Sequence, residues 1–237
     1  MTLRDLWNDN ADPWISWARA PGHDSYWRFH RDAFFALLPP PGRRTVDVGC
    51  GEGRVTRDLR AKGHKVAGAE PSHKLVAAAR AADPGTEYVE APGHALPFAD
   101  AYADLVVAFM VLQDVDDLDA TVAECARILS RGGRLCIAIT HPTNSAGSFA
   151  DDHSDSVFVI GDSYLDEKQT ALTFSRNGLT MTFHSRHRPL EAYSRAIERA
   201  GLCIEAIREP PSTEKNMSAK AKRWTRLPLF LHLRCQK

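Results

Sequence analysis

The chain has no surplus of charge: 30 Lys and Arg stand against 30 Asp and Glu in 237 residues. It lacks the basic excess of proteins that grip a phosphate backbone, so no nucleic-acid partner is expected. Cysteine is sparse: Cys50, Cys125, Cys136, Cys203 and Cys235 are odd in number and form no C-x-x-C pair. That argues against both a disulfide framework and a zinc site; no metal is expected, and a reducing cytoplasm suits the chain best. Long apolar runs are missing too. The longest, "LVVAFMVL" at 105–112, is far too short to span a bilayer. The opening "MTLRDLWNDN" has neither a basic start nor an apolar h-region, so export and a membrane anchor are not expected. There is no internal repeat, and the oligomeric state is left open.

What is present is an alternation of strands and helices over a 43% hydrophobic chain, enough for a sizeable core. Trp7, Trp14, Trp17 and Trp27 all fall in the first 42 residues. There, Tyr26, Phe29, Ala33, Phe34 and Leu37 share one stripe of a helix expected over 24–38, capped by Asp24 or Ser25 and ended by "PPPG". Residues 1–42 read as an N-terminal aromatic helical cap and 43–237 as the main domain. Strands are expected at "RTVDVG", "KVAGAE", "TEYVE", "DLVVAFMVL" and "RLCIAIT", with helices after the first, second and fourth and "RGG" stopping the last of these. The less regular stretch 141–187 reads as an insertion or lid after strand five, with a hairpin turning at Asn177-Gly178. Pro189 at N1 and Gly201 at C′ frame a last helix with Leu190, Tyr193 and Ile197 inward. "LCIEAIRE" and "LFLHLRC" complete seven strands. The fold class is α/β: a Rossmann-like, doubly wound, mostly parallel sheet with helices on both faces.

"VDVGCGEGR" at 46–54 sets Gly49, Gly51 and Gly53 between a strand and a helix. That places backbone N–H groups at a helix N-terminus, where an anionic or hydrogen-bond-accepting ligand can sit. The missing side chains are attributed to the approach of that ligand. Glu70 ends the next strand, 19 residues after Gly51, where a carboxylate can accept both ribose hydroxyls of a nucleoside. A dinucleotide fingerprint has G-x-G-x-x-G/A spacing; here the spacing is G-x-G-x-G and Arg54 follows, which counts against NAD or FAD.

The pattern resembles motif I of the class I S-adenosylmethionine-dependent methyltransferases. "AGAEPS", "GHALPFADAYADLVVAFMVL", "CARILSRGGRLCIAI" and "HRPLEAYSRAIERAGL" follow in that family's order, in the style of its small-molecule, type 11-like branch. The resemblance implies S-adenosyl-L-methionine as cofactor, S-adenosyl-L-homocysteine as product, and a small-molecule methyl acceptor modified at O, N or C. It also implies that Asp47, Gly49 and Gly51 face the methionine end. Glu70 and Pro71 then meet the ribose, Gly93, His94 and Ala95 the adenine edge, and Phe109 and Met110 the sulfonium. Relatives often carry an aspartate where Pro92 stands, leaving backbone atoms or Asp100 to take its part. The alternatives are a cofactor-binding module without turnover and an NAD-dependent oxidoreductase.

Methyl transfer to a protonated acceptor calls for a base worth roughly 10²- to 10⁴-fold. His141, just after strand five, is the candidate catalytic residue, with a turn-stabilising role as the other reading. Gln113 and Asp114 stand at a similar rim position and suit acceptor binding or capping. His184, His187 and the acidic cluster 151–155 read as edge or surface groups, not metal ligands. The basic stretch Lys215 to Arg226 reads as a surface loop.

Overall fold

The computed structural model describes residues 1–213 and 217–237. α1 (Leu3–Asp9) and α2 (Ala11–Arg19) come first, and a π-helical turn at Tyr26–His30 runs into α3 (Arg31–Phe35). The single helix expected over 24–38 therefore forms as one shorter run, residues 25–35, with a π-turn inside it. The extra residue of the π-turn lets neighbouring Phe29 and His30 both turn inward, where each is buried. Neither expected cap forms: Ser25 makes no capping bond, and Asp24 is drawn instead to Arg54, Oδ2 to Nη1 at 2.7 Å.

The alternation that follows is β1 (Thr45–Val48), α4 (Arg54–Ala61), β2 (Val66–Glu70), α5 (His73–Ala82), β3 (Glu87–Glu90), β4 (Ala103–Phe109), α6 (Leu118–Ile128) and β5 (Leu129–Thr140). Ser72 and Asp117 cap α5 and α6 through their side chains. "RGG" lies inside β5, not in a helix stop. α6 has already ended at Ile128, and Gly132 at φ +77° falls where the β4–β5 register shifts. After α7 (Pro142–Ala146) come the short strands β6 (Ser148–Phe149) and β7 (Phe158–Val159), then the hairpin β8 (Lys168–Arg176) and β9 (Leu179–His187). Asn177 at φ +49° and Gly178 at φ +78° turn it.

α8 (Leu190–Arg199) has Pro189 at its N-cap, one place earlier than expected. As its first residue, Leu190 overhangs the core and is 40% exposed, while Tyr193, Ala196 and Ile197 form the inward face. β10 (Cys203–Arg208), α9 (Ala219–Lys222) and β11 (Phe230–Gln236) close the chain. In the basic stretch, Lys215 and Asn216 lie outside the described residues. The rest is docked: Arg223 is buried against Asp152 at 3.0 Å, and Trp224 packs edge-on to Phe149 at 4.8 Å. Of the acidic cluster, Asp152 is paired with Arg223 and Lys220.

Seven strands form one sheet in the order β3-β2-β1-β4-β5-β11-β10, parallel except for β11, which runs antiparallel to both neighbours. The apolar run of β4 is buried on both faces, as a central parallel strand must be. Val106 and Ala108 join the core under α6 and α8, while Leu105, Val107 and Phe109 pack towards α3 and α4. The β8–β9 hairpin stands outside this sheet and receives α1 and α2: Trp7 Nε1 donates to His184 O, and Asn10 Nδ2 to Thr182 O, both at 2.9 Å. Phe183 sits edge-on to Trp7, Trp14 and Trp17. Among the described residues no helix is long and apolar enough to cross a membrane, and no cluster of His, Cys, Asp and Glu could hold a metal ion.

Candidate cofactor and acceptor site

The centre of the site is the turn from β1 to α4. Gly49, Gly51 and Gly53 all take left-handed backbone, at φ +67°, +57° and +87°, which disfavours any side chain before a ligand is considered. Protein neighbours also claim the space. A Cβ on Gly49 would overlap Val111, one on Gly51 would lie 3.1 Å from Trp14 Nε1, and one on Gly53 would lie 2.8 Å from the Tyr88 hydroxyl. The glycines thus answer to the turn and to close packing by protein neighbours, where the sequence reading looks to the ligand and not to the turn alone.

Glu70, at the end of β2, faces this turn. Its Oε2 accepts the Gly51 amide at 3.1 Å and its Oε1 accepts the Ser72 amide at 2.9 Å. Burial pushes its carboxyl up to about 7 despite those two bonds. Asp47 is buried beneath the turn and accepts the Thr56 hydroxyl at 2.6 Å; burial, offset by that bond and reinforced by the charge of Glu70, holds it at about 7. Pro71 follows Glu70 and, with Arg4, Asp5, Asn8, His73 and Glu90, lines a cavity of about 160 Å³. Gly93 packs on Thr121, near the start of α6, with His94 and Ala95 exposed beside it. Asp100 is not with them. It pairs with Arg127 at 2.8 Å, six residues further along α6, or roughly 9 Å by helical rise, so it is spent elsewhere.

At the end of β4, Phe109 packs edge-on against Tyr26 and Phe34, at 5.4 and 4.9 Å. Met110 takes φ +57°, a costly conformation for a side-chain-bearing residue that turns the chain sharply across the mouth of the glycine loop. A 3-10 turn, Leu112–Asp114, follows and meets β9. His141 caps α7 with its ring: Nδ1 accepts the Thr143 amide at 3.1 Å, and Nε2 lies 2.9 Å from Glu209 Oε1. Both ring nitrogens are engaged within the chain. His187 is buried between the Ser145 hydroxyl, 2.7 Å away, and the Tyr164 carbonyl, 2.8 Å away.

The N-terminal segment, which the cluster of tryptophans marks as a cap or as core, lies over this site through particular contacts that no local signal announces. The Trp14 indole faces Gly51, Asn8 accepts the Ser72 hydroxyl at 2.9 Å, and the Leu3 amide donates to Asp116 at 3.1 Å. Arg19 reaches Glu52 at 2.7 Å. These partners are tens to more than a hundred residues apart, beyond the reach of pattern reading.

The amides of Gly49, Cys50, Gly51 and Gly53 are all bonded within the chain, to Ala69 O, Ala69 O, Glu70 and Cys50 O, so they are not the free donors that the sequence led us to expect. A left-handed glycine turn, a buried carboxylate at the next strand end and aromatic cover together fit a nucleoside bearing a cationic amino-acid tail. The comparisons with known proteins agree. Residues 46–137 match the model of a methyltransferase domain. The malonyl-[acyl-carrier protein] O-methyltransferase of Enterobacter lignolyticus is 36% identical over 114 residues, 48% of this chain and 45% of that protein. The demethylmenaquinone methyltransferase of Beutenbergia cavernae is 33% identical over 117 residues, 49% and 48% of the two. The chain spans about half the length of the curated relatives it matches. An S-adenosylmethionine-dependent methyltransferase structure from Mesorhizobium loti superposes with a TM-score of 0.72 at 28% identity, covering 90% of this chain and 98% of that one.

Proposed function

We propose that this chain, which carries a class I S-adenosylmethionine-dependent methyltransferase domain of the type 11 kind, is a methyltransferase acting on a small molecule in the cytoplasm. The observation that carries the reading is the Glu70 carboxylate bonded to the Gly51 amide across a left-handed glycine turn.

When bound, S-adenosylmethionine supplies a methyl group on a sulfonium, whose C–S bonding pair leaves with sulfur. Glu70 turns from its two backbone amides to ribose hydroxyls, with Pro71 beside it. The backbone of Gly49 and Gly51, over the carboxyl of Asp47, holds the amino-acid tail. Gly93, His94 and Ala95 border the adenine, and Phe109 and Met110 form the wall at the reacting end. Trp14 and its neighbours exclude water and set the acceptor at attack distance, where positioning alone can supply effective molarities of roughly 10⁵ to 10⁸ M. His141, with both nitrogens engaged, stabilises the turn after β5 and leaves proton transfer to another group.

The test is incubation of the protein with trideuteromethyl-labelled cofactor and a panel of small hydroxyl, amine and carboxylate compounds, read by mass spectrometry. A product heavier by one labelled methyl group supports the reading. Cofactor binding without any labelled product across the panel would favour a binding module.

A further inference from the structure

The β8–β9 hairpin has one sealed edge and one bare edge. On β9, the Thr182 and His184 carbonyls point away from β8 and accept the side chains of Asn10 and Trp7. Backbone groups alternate in direction along a strand, so those of Met181 and Phe183 face β8, where they meet Phe174 and Leu172. The amides and carbonyls of Ala171, Thr173 and Ser175 therefore point outward from β8. No hydrogen bond among the described residues takes them, and the two-stranded sheet ends there.

Native edges are blunted by charge, proline, a bulge or a covering element. β8 has none of these along "QTALTFS", residues 169–175: the run is free of charge, proline and glycine, and its pairing with β9 shows no register shift. Residues 171–176 are exposed on both faces of the strand. Its two large apolar side chains, Leu172 and Phe174, are 57% and 51% exposed. Phe174 lies edge-on to Phe183 at 5.8 Å, so this pair continues the aromatic cluster of Trp7, Trp14 and Trp17 outward. A ribbon of two strands is marginal in water and gains from further strands.

The bare edge is complementary to itself. Two copies of β8 laid antiparallel about a two-fold axis at Thr173 join the outward groups of Thr173 to those of the second Thr173. The same register joins Ala171 of each copy to Ser175 of the other, giving about six backbone hydrogen bonds in all. Leu172 of each copy then opposes Phe174 of the other at non-hydrogen-bonded positions, where side chains come closest. An axis at Leu172 would set Lys168 against Arg176, two like charges, and an axis at Phe174 would set Arg176 against Leu172. The Thr173 register avoids both and places Arg176 opposite Thr170.

We propose that the free edge of β8 pairs with the same edge of a second copy of this chain, building a four-stranded antiparallel sheet across a two-fold axis. A second copy fits because the register that joins the two exposed apolar side chains is the one a two-fold pair makes. Each edge is used once, so the assembly closes at two copies. The patch is small for a specific interface, which puts dissociation in the micromolar range.

Sedimentation velocity across micromolar concentrations should show a monomer–dimer equilibrium. Thr173→Pro removes an outward amide at the axis and no bond to β9, so the hairpin stays paired while dimer affinity falls by about tenfold or more. Leu172→Lys and Phe174→Glu, both at exposed side chains, should each weaken the dimer as well, which covers the case of a misfolded proline variant. Mixing these two variants should restore it, because the introduced charges oppose each other at one contact and Leu172 meets Phe174 at the other. A monomer at every concentration, a dimer indifferent to all three substitutions, open-ended aggregates, or a mixture no tighter than either variant alone would overturn the proposal.

Discussion

The guanidinium of Arg54 lies 4.8 Å over the Trp14 ring. The same group stacks 4.3 Å from Tyr26 and pairs with Asp24 at 2.7 Å, with both charged side chains nearly buried. Arg54 occupies the place where a dinucleotide fingerprint keeps a small residue, and it uses that place to fasten the N-terminal segment over the glycine turn. Arg54→Ala leaves the Asp24 carboxylate unpaired, a loss of about 3 kcal/mol or more. Hydrogen exchange should quicken across residues 1–38 while the β4 and β5 amides keep their protection.

Gly51→Ala forces a side chain into left-handed backbone and to within 3.1 Å of the Trp14 indole. The backbone alone costs roughly 1–2 kcal/mol. Calorimetry should show S-adenosylhomocysteine affinity lowered at least tenfold in a protein that still folds cooperatively.

Glu70 has a folded-state pKa of about 7, raised by burial from 4.5. Its contribution to stability is complete below pH 4.5 and is lost as the pH rises through 7, because the folded state disfavours the ionised form. Glu70→Gln removes this dependence. The melting temperature of the ligand-free variant should therefore gain on that of the unaltered protein steadily between pH 4.5 and 8. A constant gap would contradict the assignment.

His30 and His232 run the other way. Their Nε2 atoms lie 2.7 Å apart in an apolar setting between Phe109, Phe34 and Phe230. Burial lowers both, His30 well below 6.5 and His232 to about 4. Stability from this pair is complete above pH 6.5 and is lost as the pH falls towards 4. Proton NMR of the ring signals should show His232 titrating near 4 and His30 staying neutral through the range in which an ordinary imidazole takes up its proton.

His141→Ala removes a helix cap and the contact to Glu209, a loss of about 1 kcal/mol. S-adenosylhomocysteine affinity and methyl transfer to a given acceptor should change less than threefold. A hundredfold fall in turnover would restore His141 as the base.

The parts of the fold carried by local pattern are legible in the sequence: the apolar run of β4, the caps Ser72 and Asp117, the Asn177-Gly178 turn, and the glycine turn itself. Long-range competition defeats that kind of reading elsewhere. Asp24 could cap a helix, but the buried Arg54 claims it; the stretch around His30 could be regular helix, but His232, 202 residues away, draws an extra residue inward. Leu190 fits a helical stripe, but the helix begins beyond the core edge. At the site, Glu70 is marked by its spacing from Gly51, whereas the engagement of His141 depends on partners that only the folded chain brings close.

The most direct test of the central claim is a calorimetric titration of the protein with S-adenosylmethionine, S-adenosylhomocysteine and NAD, repeated on Glu70→Ala. Binding of the first two in the micromolar range, lost in the variant, with no response to NAD, is the predicted result. Binding of NAD alone, or S-adenosylmethionine binding that survives the loss of Glu70, would contradict the account.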